Sequence, residues 1–415
     1  MIRNRKIRVV ITGLGVVAPN GNDKTSFWLT LLSKQSAIRE ITQFNPEDCQ
    51  VKIAGEVKNY DPSRYYKGPI RPKRLARQTT FAIGATSMAF DDANLLPNEI
   101  SSDMTVPIVL GVSTGPPEAL ENHMFRLFKY GANKMSPHAI FGCAPQNVGV
   151  TLSQQLELEC ESITLSTGCG AGLDAIATAA DLIRSGRTDI SITGGTDAPI
   201  TRFTTSSLAA AGMVVDYNGD PKLSSRPFDV NRTSGILSEG CGMIIVENYE
   251  YAHSRGVKPY AEITGYGNAM DRPGELPGEG MVRSMQKAMD NAGIHPRDVD
   301  YISAHGPGDR ILDVTEVAAI KKVFGNKAYS IPVSSIKGVV GNPFAAAGPL
   351  QVISCAQAFR TNFIPPTANH TKPDPQCDLD FVSDLARKSE LQTILVNSHG
   401  MGGGNSTLVL ERAIE

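Results

Sequence analysis

The stretch SITLSTGCGAGLDAIATAADLI, residues 162–183, runs from an apolar strand through a glycine-rich turn into an alanine-rich helix. Apolar and β-branched residues at its start suit a strand, and the glycines punctuate the turn. The small residues that follow suit a helix buried between sheets, because short side chains permit close packing. The same succession returns in IPVSSIKGVVGNPFAAAGPLQVISCAQAF, residues 331–359. Three more echoes keep the same order. ITGLG at 11–15 returns as ITGYG at 263–267, and VPIVLGVSTGPP at 106–117 returns as VDYISAHGPG at 299–308. DISITGGTD at 189–197 parallels the closing NSTLVLE at 405–411. These correspondences predict two similar α/β halves, residues 1–255 and 256–415, with two mixed sheets sandwiching buried helices. Residues 45–80 and 200–235 carry Pro, Gly and charge without a clear period. They are expected at the surface or at the entrance to a site.

The bulk composition narrows the function classes. Hydrophobic residues make up 41% and charged residues 20% of the 415, as in ordinary globular proteins. Forty basic residues against 42 acidic give no reason to expect a nucleic-acid or membrane-surface binder. The seven cysteines are scattered, odd in number and free of any C-x-x-C pair, which points to a reduced, cytoplasmic protein without a disulfide framework or metal site. No signal peptide or membrane span is expected, since the apolar runs are too short.

Cys169 stands between glycines where a strand turns into a helix. Such a turn exposes a sulfur to a helix N-terminus, whose N–H groups and positive dipole end favour a thiolate and offer oxyanion donors. A small buried cysteine at a tight turn satisfies the same pattern. His305, in ISAHGPG, also ends a strand, and both halves thus place an odd polar residue at a strand end; a hydrogen-bonded core histidine is the plain alternative. Lys337 and Asn342 follow the next strand. Asp313 and Glu316 sit three apart on one face of an expected helix, where Glu316 is expected to pair with Lys337; ordinary structural charges are the alternative for all four. The loop NSHGMGGGN, residues 397–405, is dense enough in glycine for its backbone to approach a substrate or supply an oxyanion N–H. GLGVVAPNG at 13–21 lacks the full dinucleotide fingerprint and its acidic partner.

In this order the motifs resemble the elongating β-ketoacyl-[acyl carrier protein] synthases, condensing enzymes of the thiolase superfamily. VITGLGVVAPNG, STGCGAG, ITGGTDA, SRPFDVNRTSGILSEGCGMIIVE (225–247), AHGPGD, SSIKGVVGN, AAAG, CDLDFV and NSHGMGGGNSTLVLE carry the resemblance along nearly the whole chain. The resemblance implies a homodimeric thiolase-like fold layered α-β-α-β-α. Cys169 would be acylated from a carrier-borne thioester, and the carbanion from a decarboxylated malonyl thioester would attack it. His305 would assist decarboxylation and stabilise the enolate, and Lys337 and Glu316 would organise the region of the family's second histidine electrostatically. The N–H groups of Cys169 and Met401 would form the oxyanion hole. No cofactor is implied beyond the phosphopantetheine that the carrier brings. Lys67, Arg71, Lys73, Arg74 and Arg77 form a basic run placed to meet an acidic carrier protein, although a solvated face is the default reading of such a run.

The chain also departs from the family pattern. Asn342 stands where elongating synthases carry a second histidine, giving a Cys-His-Asn set similar to chain-initiating and plant-type polyketide synthases. Pro307 and Asp309 replace two threonines that bind the pantetheine arm, and of these only Asp309 can accept an amide N–H. Met401 replaces a gating phenylalanine, with His399 beside it. These changes suggest a specialised fatty-acid or polyketide pathway. The alternatives are a malonyl-carrier decarboxylase on the same fold, a non-catalytic chain-length partner and a thiolase. Retention of Cys169 opposes the first two, and the absence of a second loop cysteine opposes the third. A heterodimer with a chain-length partner remains open beside the homodimer.

Overall fold

A computed structural model describes residues 7–67 and 74–414. The strands that build the main sheet are β1 (Val9–Val17), β2 (Val106–Gly111), β3 (Cys160–Leu165), β4 (Ile190–Asp197) and β5 (Gly240–Asn248), then β6 (Ala261–Met270), β7 (Tyr301–Ser303), β8 (Val333–Ser334), β9 (Thr393–Gly400) and β10 (Gly404–Glu411). The helices that matter here are α1 (Arg77–Asp92), α2 (Pro117–Tyr130), α3 (Ala171–Arg184), α4 (Glu279–Ala292), α5 (Leu312–Phe324) and α6 (Ala347–Thr361).

The strand order is β8-β7-β9-β10-β6-β1-β5-β4-β2-β3. Read outward from the centre, one half runs β1-β5-β4-β2-β3 and the other β6-β10-β9-β7-β8. In each half the two inner pairings are antiparallel and the two outer ones parallel. The duplication is therefore topological. The two expected sheets meet edge to edge where Val10 and Ile11 pair with Glu262 and Ala261, so the ten strands form one hydrogen-bonded sheet. One echo needs correction. β4, which holds DISITGGTD, occupies the place of β9 (TILVNSHG) in the second half, whereas NSTLVLE in β10 answers to β5. β9 and β10 form a hairpin of similar composition, and only the pairing partners tell them apart.

Repeated glycines in β1 and β6 have a shared cause. A Cβ on Gly13 or Gly15 would lie 2.2 or 1.7 Å from the carbonyl oxygens of Ala89 and Ala85 in α1. On Gly265 or Gly267 it would lie 2.2 or 2.1 Å from those of Ala288 and Ser284 in α4. Each half thus presses its first strand onto its own outer helix. The other face of the sheet closes over α3 and α6. Ile11, Leu14 and Val16 of β1 join Leu173, Ile176, Leu350, Ile353 and Leu408 in one core drawn from both halves. Two separate cores lie under α1 and α4. This gives the layers α, β, α, β, α. Gly172 and Gly348 let the two inner helices meet at their first turns, where a Cβ on Gly172 would sit 2.2 Å from the Ala345 carbonyl. That crossing brings the ends of β3 and β9 together and sets the site.

Candidate active site

Between β3 and α3 the chain makes a single tight turn, Gly168–Gly170, with Gly168 at φ +70°. Cys169 sits in it, 3% exposed. The glycine-dense loop is the tight hairpin joining β9 to β10, with Gly402 and Gly403 both left-handed. It packs backbone to backbone on the nucleophile turn: a Cβ on Gly400 would meet the Thr167 carbonyl at 3.0 Å and the Cys169 nitrogen at 3.3 Å. The Met401 backbone N–H is turned toward the Cys169 sulfur, where it favours the thiolate. The two expected oxyanion donors, the N–H groups of Cys169 and Met401, therefore lie in adjoining segments.

His305 follows β7 and is 2% exposed. Its Nδ1 accepts from Lys337 Nζ at 2.9 Å and from the His399 backbone N–H at 3.1 Å. Lys337 also donates to the His305 carbonyl at 2.7 Å. With Nδ1 accepting, a neutral ring carries its proton on Nε2. Burial first, then the Lys337 charge and His399, hold His305 well below the usual imidazole range. Lys337 is itself pushed down to about 8 by burial, against the pull of Cys169, Glu316 and Asp313.

The expected ion pair between Glu316 and Lys337 does not form. Glu316 instead accepts from the N–H groups of His305 and Gly306 at 2.9 and 2.8 Å. Asp313 accepts from Phe228 N and Gly308 N at 2.6 and 3.1 Å. Both carboxylates face the backbone of the His305–Gly308 segment, Asp313 bridging it to Phe228, and burial raises both, Asp313 to about 7.

A cavity of about 320 Å³ joins these parts. Cys169, His305, Asn342, His399, Asp309 and Met401 line it, together with Leu208, Val214, Ile236 and Phe344. The 200–235 excursion thus forms one wall, as its composition suggested. The Asn342 side chain also favours the Cys169 thiolate, and its Oδ1 is buried without a hydrogen-bond partner among the described residues. Burial pushes the Cys169 thiol up, opposed by Lys337, Asn342 and the Met401 N–H, while Asp197 adds to the rise. Burial thus works against the thiolate that the helix end alone was expected to favour.

Asp309 spends Oδ1 on the N–H groups of Ile311 and Leu312, at 2.8 and 2.9 Å, where α5 begins. One oxygen is thereby removed from substrate binding. Of the basic run, Lys67 and Arg74 are exposed, and Arg71 and Lys73 lie outside the described residues. Arg77 is only partly exposed, and its guanidinium grips the buried Glu239 at 2.6 and 2.8 Å and the Val57 carbonyl at 2.9 Å.

Two buried carboxylates went unread in the sequence. Asp174, in the first turn of α3, takes hydrogen bonds from Thr167, Tyr266 and Ser406, and so ties the nucleophile turn to the second half. Asp197 ends β4 and accepts from Ser113, Thr114 and the Ala345 N–H, while burial raises it to about 6. The aspartate closing ITGGTD was the one available signal.

The chain is similar to known proteins along its length. Residues 6–252 match the family described as "Beta-ketoacyl synthase, N-terminal domain", and residues 260–371 match "Beta-ketoacyl synthase, C-terminal domain". The chain is 36% identical to the 3-oxoacyl-[acyl-carrier-protein] synthase 2 of Coxiella burnetii, over 99% of this chain and 100% of the relative. It is 35% identical to the tetracenomycin polyketide synthase ketoacyl synthase alpha subunit of Streptomyces glaucescens, over 100% and 99%. A solved structure, "The ishigamide ketosynthase/chain length factor", superposes with a TM-score of 0.92 at 30% identity, covering 99% of this chain and 100% of that one. The thiolase-like duplication, the shared cavity and these likenesses agree that the chain belongs to the β-ketoacyl synthase family of condensing acyltransferases.

Proposed function

We propose that the chain transfers an acyl group from a carrier-borne thioester to Cys169 and then condenses it with a malonyl thioester. The observation that carries this reading is the convergence of Cys169, the Met401 N–H and His305 on one cavity. In the first step the sulfur attacks the acyl carbonyl, the carrier thiol leaves, and the Cys169 proton ends on that thiol. In the second, the malonyl carboxylate leaves as carbon dioxide. The resulting enolate carbon attacks the acyl-Cys169 carbonyl, the C–S bond breaks, and the sulfur regains a proton. His305, a neutral Nε2–H donor, stabilises charge growing on the malonyl thioester oxygen, and the N–H groups of Cys169 and Met401 do so on the acyl oxygen. Loss of one such donor costs about 10²–10³ in rate. Lys337 and Glu316 act through His305, one on its ring and one on its backbone.

The phosphopantetheine arm travels with the substrate and enters past Pro307 and Asp309. Exposed Lys67 and Arg74 suit an acidic carrier. The departures at Asn342, Pro307, Asp309, His399 and Met401 favour a specialised fatty-acid or polyketide pathway in the reduced cytoplasm, in keeping with seven free cysteines. Among the described residues no helix is long and apolar enough to cross a membrane. A second copy of the chain is the favoured partner. β3 ends the sheet, with no strand on its outer edge among the described residues, and Phe125, Phe128, Ile140, Phe141 and Phe203 are 59–80% exposed. A chain-length partner on the same edge is the alternative.

Product analysis with acyl- and malonyl-carrier proteins tests the reading. A ketoacyl product two carbons longer than the donor supports it. Acetyl-carrier alone would make the chain a decarboxylase, and turnover only with an added homologous subunit would make the partner obligatory.

A further inference from the structure

The two histidines of the cavity are held as opposite tautomers. His305 Nδ1 accepts two donors, so its Nε2 carries the proton and cannot take another. His399 is held the other way. Its Nδ1 lies 2.9 Å from Asn405 Oδ1. The Asn405 amide is oriented by its other end, because Nδ2 faces only acceptors: the carbonyls of Gly403 at 3.0 Å and Ala269 at 3.4 Å, and Asp271 Oδ1 at 3.4 Å. Oδ1 therefore faces His399, which must donate from Nδ1. That leaves Nε2 of His399 as a lone pair on a ring that lines the cavity with Cys169.

The first step of the proposed reaction needs such a group. Asn342 does not titrate, Asp309 is half committed to the start of α5, and His305 is already protonated at Nε2. We infer that His399 is the proton acceptor for Cys169: its Nε2 takes the thiol proton, directly or through one water, as the sulfur attacks, and returns it to the departing carrier thiolate. Sγ–H breaks, Sγ–C forms, carbonyl C–S breaks and the carrier S–H forms, with no net change in protons. The second imidazole, missing at Asn342, is thus supplied from the β9–β10 hairpin. This inference rests on the reading of Cys169 as the acylated nucleophile.

The charges around His399 come from every side. His305 lies behind it, with ring centroids 6.0 Å apart, and Lys337 sits on His305. Asp271 stands behind Asn405, and Asp309 lines the same cavity.

The test follows single-turnover acylation of Cys169 by quenched-flow mass spectrometry from pH 5.5 to 8.5, in wild type, His399→Gln and Asn405→Ala. Carbon dioxide release from malonyl-carrier is measured alongside. Wild type should rise with pH and reach a plateau once the imidazole is neutral. H399Q should acylate about 10²-fold more slowly at neutral pH, the low end for loss of a general base. Its rate should keep climbing about tenfold per pH unit, following the thiolate fraction. N405A should fall between the two, since its His399 populates both tautomers. Carbon dioxide release should fall far less than acylation in both variants. A wild-type rate and plateau in H399Q would overturn the inference, as would equal losses in both steps, which would mark His399 as a prop for the site. No acylation in wild type itself would instead overturn the assignment of Cys169.

Discussion

His305 is a neutral donor because of what touches Nδ1, and this has measurable consequences. Its folded affinity for protons is depressed by burial and by Lys337, whereas the unfolded ring titrates near 6.5, at roughly the ordinary imidazole value. Below that pH the unfolded chain takes up a proton that the folded chain refuses. The contribution of this group to stability is complete above about 6.5 and is lost as pH falls, by up to about 1.4 kcal/mol per unit. Denaturant titrations from pH 7 to 5 should show this slope, and His305→Gln should flatten it. In catalysis, His305→Ala should slow carbon dioxide release from malonyl-carrier by about 10²–10³-fold. Asn342→His places a second imidazole beside Cys169 and should raise that release several-fold; no change would mean that position 342 does not reach the malonyl group. Cys169 and His305 were legible in the sequence because glycine turns flag strand ends. Their protonation states were not, since burial and a lysine 32 residues away from His305 decide them.

Glycines in the first strand of each half show how an element-level pattern becomes packing. The ITGLG and ITGYG echo was visible in the sequence, and the structure supplies its cause in the carbonyls of α1 and α4. Gly15→Ala should destabilise the fold by about 1–3 kcal/mol or more, the range for overpacking a core, because backbone must move. The shift in urea midpoint measures it, and an unchanged midpoint would contradict the close contact. At the same scale the sequence misled where partners are distant. Arg77 opens α1 and reads as part of a basic run, yet Glu239, 162 residues on, claims it. Asp174 and Asp197 join segments 232 and 148 residues away, and no local pattern marks such carboxylates. The misaligned fourth echo has the same origin, since strand pairing is non-local and two hairpin strands of like composition exchange easily on paper.

At the scale of the whole molecule, duplication creates the site. Each half carries a polar residue, Cys169 or His305, just past a strand end, and crossing the inner helices makes the two face one cavity. The same strand order leaves β3 as a sheet edge with no pairing strand among the described residues, and the surface also carries exposed aromatic side chains; proteins usually cover both. Phe128→Asp with Ile140→Asp should convert a dimer to a monomer in sedimentation analysis; a monomeric wild type would instead point to a different subunit on that edge. The central claim, that Cys169 is the acyl acceptor, is tested most directly by intact-protein mass spectrometry after incubation with acyl-carrier proteins of varied chain length, comparing wild type with Cys169→Ala. The account predicts a gain of one acyl group that disappears in the variant, and an adduct that persists in Cys169→Ala, or none with any donor, would contradict it.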